Sequence, residues 1–128
     1  MRYIKLFENF NETYKMYSGI SKDKWETVWK NKNLTDRLTN VTNDLDFAFD
    51  YSYDFNTGNY DDIAIEIDNI PIDAFVSFRD NDYVDDDDFE TMNDMNDSEK
   101  RIIIEENSLF LVNLYPYKDK LNIKLKTL

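Results

Sequence analysis

The sequence contains no cysteine and no histidine. Without cysteine there can be no disulfide, no thiolate nucleophile and no zinc–thiolate site. Without histidine the side chain best suited to proton transfer near neutral pH is missing, and Ser-His-Asp and Cys-His catalysis are excluded. Any metal site would have to be built from oxygen alone, which points to calcium or magnesium. No apolar run approaches the ~20 residues of a membrane span. The opening residues, MRYIKLFENF, alternate charge with hydrophobe and lack the apolar centre of a signal peptide. The expectation by elimination is a cytoplasmic protein without membrane contact, and no cofactor and no metal ligands are assigned.

What is present suffices for one core. The chain has 128 residues, 41% of them hydrophobic, with nine Phe, nine Tyr and two Trp. Each buried aromatic removes about 150–250 Å² from water, so wholesale disorder is not expected despite the charge. A length near the usual domain size gives one domain over residues 1–128. The expected fold class is α+β: a mostly antiparallel sheet of about four to six strands with two or three short N-terminal helices.

The net charge of −12 is segregated. Residues 1–43 hold eight Lys/Arg against five Asp/Glu, and residues 100–128 hold six against three. Residues 44–99 hold nineteen acids against the single base Arg79. Within that middle segment, residues 80–98 form an acidic stretch expected as a loop, whose mobility the sequence leaves open. Self-repulsion in such a block opposes folding, so it is either a solvated loop, a negative surface for a basic partner, or an all-oxygen cation site. The partner reading assigns Asp80, Asp82, Asp85, Asp86, Asp87, Asp88, Glu90, Asp94 and Asp97 as contact residues. The cation reading lacks an EF-hand: Asp85 stands where the loop needs Gly, and Thr91 where it needs Glu.

Tyr3, Ile4, Phe7 and Phe10 recur at helical spacing over residues 2–12, and residues 13–19 read as a strand. Ser21 is a good cap for a helix over 22–31 with Trp25, Val28 and Trp29 on one face, a core stripe more than a binding pair. Thr42 is placed to cap a helix through 43–53, and residues 56–59 (NTGN) form a turn. Residues 62–68 (DIAIEID) alternate cleanly, giving a strand that Pro71 ends. Residues 74–78, 101–104, 108–114 and 121–125 follow as strands, the last three as an antiparallel meander.

Two resemblances add to this. MRYIKLFENF resembles the start of small proteins of tailed bacteriophages, in keeping with a chain rich in Asn, Asp, Lys, Ile and Tyr. In general character the whole chain resembles small acidic anti-CRISPR and DNA-mimic proteins. That likeness implies a phage-encoded inhibitor in the host cytoplasm, covering the basic surface of a nucleic-acid-binding defence protein. Carboxylates at the density of DNA phosphates can occupy a Lys/Arg groove, whereas direct nucleic-acid binding by this chain is disfavoured.

The order of elements is also similar to a compact ADP-ribosyltransferase domain. Tyr17-Ser18-Gly19 stands at the first-strand motif and Leu38-Thr39-Asn40-Val41-Thr42 at the polar strand before the helix. Ser98-Glu99-Lys100-Arg101, before Ile102-Ile103-Ile104, stands at the late Glu-x-Glu position. Ser18 replaces the Arg or His that clamps NAD, and Arg101 replaces the catalytic Glu. A cation there would repel the developing oxocarbenium charge. The likeness implies an ADP-ribosyltransferase-like domain without assigned catalytic residues, or an enzyme relying on Glu99 with Glu105 or Glu106.

Overall fold

A computed structural model describes residues 12–54, 57–79 and 89–128. The helix expected over 2–12 lies outside the described residues, as do Asp80, Asp82, Asp85, Asp86, Asp87 and Asp88. The fold is α+β. Seven strands, one more than the upper end of the expected range, form a sheet ordered β7-β6-β8-β2-β1-β5-β9. They are β1 (Thr13–Gly19), β2 (Thr39–Thr42), β5 (Ile63–Pro71), β6 (Phe75–Arg79), β7 (Phe89–Thr91), β8 (Leu109–Val112) and β9 (Asn122–Thr127). Every described pairing is antiparallel. A separate hairpin joins β3 (Tyr53–Asp54) to β4 (Asn59–Tyr60), with Gly58 at φ 73° in its turn. That left-handed geometry suits glycine.

The alternation in β5 places Ile63, Ile65 and Ile67 on the main core. Neighbours β1 and β9 flank it, and Ala64 and Glu66 on its other face are buried as well. Met16, Val41, Phe75, Phe78, Phe110 and Val112 extend the same apolar face. Phe75 meets Tyr14 and Phe110 edge-on, at centroid distances of 5.4 and 5.5 Å.

Three α-helical segments are described, and only the first two are short and N-terminal. Ser21 caps α1 (Lys22–Lys24), its Oγ accepting from the Lys24 N–H at 3.2 Å. The chain then widens into a π turn, Trp25–Trp29, in place of the expected longer α-helix. Trp29 is buried in the main core, and Trp25 and Val28 pack partly buried against it. The cap of α2 (Leu45–Phe49) is Asp44, which accepts from Asp46 and Phe47 N–H groups; Thr42 in turn accepts from Asp44. This helix covers part of the opposite sheet face, where Ala48 and Phe49 meet Ala64 and Tyr17.

The largest departure is α3 (Asp97–Glu106), which occupies the strand expected at 101–104. A run of three isoleucines favours a strand locally. Here a reciprocal capping box decides otherwise: Asn96 accepts from the Glu99 N–H, and Glu99 accepts from the Asn96 N–H. Ile104 is then buried, Ile103 packs on the core, and Ile102 is exposed. The C-terminal meander is overturned too. β8 sits between β2 and β6, whereas β9 pairs with β5 at the far edge. A 3₁₀ segment, Tyr115–Lys120, makes that crossing between the buried anchors Leu114 and Leu121.

Candidate functional site

One line of residues crosses the whole sheet in register. Lys124 pairs with Glu66, Glu66 with Tyr17, Tyr17 with Thr42, Thr42 with Leu109, Leu109 with Arg79, and Arg79 with Phe89. The row lies on the face away from the main core, because strand side chains alternate. At the Lys124 end Glu66 is buried and paired with Lys126 at 3.7 Å. Toward the other end, the described residues enclose a cleft of about 560 Å³. Tyr17, Thr42, Leu109, Arg79 and Phe89 line it from the sheet, Phe47 from α2 and Tyr51 from the turn that follows.

Both Tyr17-Ser18-Gly19 and Leu38-Thr39-Asn40-Val41-Thr42 border this cleft, so the structure brings together two of the three segments singled out in sequence. Gly19 has a packing reason of its own: a Cβ there would overlap the Ala48 carbonyl oxygen and crowd the backbone of Tyr51 and Ser52. The third segment sits on α3 and does not line the cleft. Its residues have structural employment. Glu99 completes the capping box, Lys100 is buried, and Arg101 Nε donates to Glu12 at 2.8 Å. That hydrogen bond and the Glu12 charge raise the Arg101 pKa. Burial, reinforced by the Glu12 carboxylate, pushes Tyr14 beside this pair up to about 12.

Of the acidic contact residues expected, Glu90 is exposed on edge strand β7, Asp94 is exposed in the turn before α3, and Asp97 is exposed in its first turn. The described part of residues 80–98 is therefore strand and helix start as well as loop. Sequence reasoning missed a second acidic region. Asp46 on α2, Asp50 at its C-terminal cap and Asp62 after β4 border a hollow of about 510 Å³ with Phe49, Tyr60 and Leu128. The exposed Tyr53 and Tyr60 lie on the adjoining hairpin, and the exposed Tyr51 in the turn that leads from α2 to it. The interleaving of acid and aromatic in DLDFAFDYSYD was the available signal.

Among the described residues, Asp46, Asp50, Asp62, Asp73, Glu90, Asp94 and Asp97 are exposed, and none pairs with a described lysine or arginine. Among the described residues no group of three or more potential metal ligands comes together, and no helix is long and apolar enough to cross a membrane. The chain matches no protein-family model, no curated protein and no solved structure.

Proposed function

We propose that this protein is an acidic binding protein, a phage-encoded inhibitor that covers the basic, nucleic-acid-binding surface of a host defence protein. The observation that carries the reading is the set of exposed carboxylates between Asp46 and Asp97 without a described basic partner. Carboxylates neutralised within the fold would offer nothing to a partner; these retain their full field, which steers association with a Lys/Arg surface. The contact set combines Glu90, Asp94 and Asp97 with the acidic run before them and extends to the α2–hairpin region. Exposed tyrosines there add the amphipathic contact area common at interfaces.

The test is displacement. Host nucleic-acid-binding proteins are held on immobilised DNA and challenged with this protein. Release of a specific protein is expected from the parent and not from a variant carrying Asp46→Asn, Asp50→Asn, Asp62→Asn, Glu90→Gln, Asp94→Asn and Asp97→Asn. Equal release by both would remove the charge basis of the reading.

An ADP-ribosyltransferase-like domain is the second reading, favoured by the meeting of the first two motif segments at one cleft. Ser18 and the helical placement of Arg101 argue for a shape without transfer activity. Incubation with labelled NAD and host lysate tests it, and labelling lost on Glu99→Gln would favour the enzyme.

A further inference from the structure

The cleft on the sheet face has a chemistry that the acidic surface does not explain. Antiparallel sheets commonly pack one face and leave the other polar and wet. Here the second face carries Tyr17, Leu109 and Phe89 along one cross-strand row, with rings of Phe47 and Tyr51 above. A hollow of about 560 Å³ falls within the range of small-molecule sites. Its floor holds Arg79, half-buried, the single base of residues 44–99. Thr42 and Asn40 add hydroxyl and amide groups beside the apolar walls.

Geometry limits the ligand. Neighbouring strands lie about 4.8 Å apart, so three steps of the row separate Tyr17 from Arg79 by about 14 Å. That span suits a flat ring system with one acid group. A guanidinium carries five N–H donors in a planar fork, so it can take an acid group in addition to contacts within the fold. An aromatic body lying over Leu109 would meet Tyr17 at one end and the Phe47 ring at its side.

We infer that this cleft is a binding site for a small organic anion, a carboxylate, sulfonate or phosphate on a flat apolar body. The acid group sits at Arg79, and the body lies along Leu109 toward Tyr17. The inference needs neither the acidic partner surface nor group transfer.

Anilinonaphthalene sulfonate, an aromatic sulfonate whose fluorescence rises on burial, is the probe. The folded protein is expected to bind it saturably with one-to-one stoichiometry. Arg79→Gln should weaken binding about 10- to 100-fold, the loss of one charge-assisted hydrogen bond. Asn40→Trp, at an exposed position on the cleft rim, should block binding by filling the space, and serves if the arginine variant does not fold. Phenylnaphthylamine, the same body without the acid, should bind more weakly than the sulfonate. Absence of saturable binding, binding unchanged in the folded variants, or equal binding of the neutral compound would overturn the assignment.

Discussion

Gly19 at the end of β1 and Ala48 in α2 are in backbone contact: a Cβ on Gly19 would overlap the Ala48 carbonyl oxygen. The contact seats α2 on the sheet and thereby fixes one wall of the cleft. Backbone cannot retreat as a side-chain tip can, so Gly19→Ala is expected to cost about 1–3 kcal/mol or more through overpacking. Thermal melts of the variant measure it. A parental melting temperature would mean that α2 moves freely away from β1.

The two tryptophans of the π turn differ in depth. Trp29 is 7% exposed, whereas Trp25 only packs partly buried against the same core. Trp29→Ala is expected to cost about 3–5 kcal/mol, and Trp25→Ala distinctly less. Denaturant titration of both variants checks the order. A larger loss at Trp25 would contradict this packing.

The Asn96–Glu99 capping box accounts for α3 where three isoleucines would favour a strand. Asn96→Ala is expected to lower stability by about 1 kcal/mol. Hydrogen exchange should show the loss first at the start of α3. Exchange unchanged across 97–101 would mean that packing of Ile103 and Ile104 alone holds the helix.

Tyr14 gives the fold an alkaline sensitivity. Its pKa rises from 10.0 to about 12 through burial first and the Glu12 carboxylate second. Below pH 10 the phenol is protonated in folded and unfolded chains alike, and its contribution is intact. Between pH 10 and about 12 the unfolded chain releases the proton and the folded one retains it, so stability falls as pH rises. Tyr14→Phe removes this slope. The variant should therefore gain on the parent through that window, which paired denaturation curves at pH 9 to about 12 would show.

How much of this was legible in sequence depends on the distance over which the cause acts. The period-2 pattern of Ile63, Ile65 and Ile67 gave β5 directly, and Ser21 announced its helix, because both signals are local. The capping box of α3 is equally local, in Asn96 and Glu99 three residues on, but the β propensity of Ile102–Ile104 is the more conspicuous pattern and points to a strand. The three-residue edge strand β7 has no periodicity to read, and the separation of β8 from β9 follows from sheet order alone. Tyr17–Gly19 and Leu38–Thr42 stand out in sequence only as motif positions of a family resemblance, and their meeting at one cleft comes from the pairing of β1 with β2. Arg79, Phe89 and Leu109 join them only through cross-strand register, which no local pattern encodes.

The most direct test of the acidic-surface reading is the association rate of this protein with any host protein that the displacement experiment releases from DNA. The rate should be measured from about 50 to 200 mM salt. Steering by exposed carboxylates predicts a rate that falls steeply with salt, since charges beyond about 8–10 Å are screened at physiological ionic strength. It also predicts a much shallower slope for the variant neutralised at Asp46, Asp50, Asp62, Glu90, Asp94 and Asp97, measured where both proteins are folded. A rate indifferent to salt, or the same slope in parent and variant, would contradict the reading and reduce these carboxylates to a solvated face.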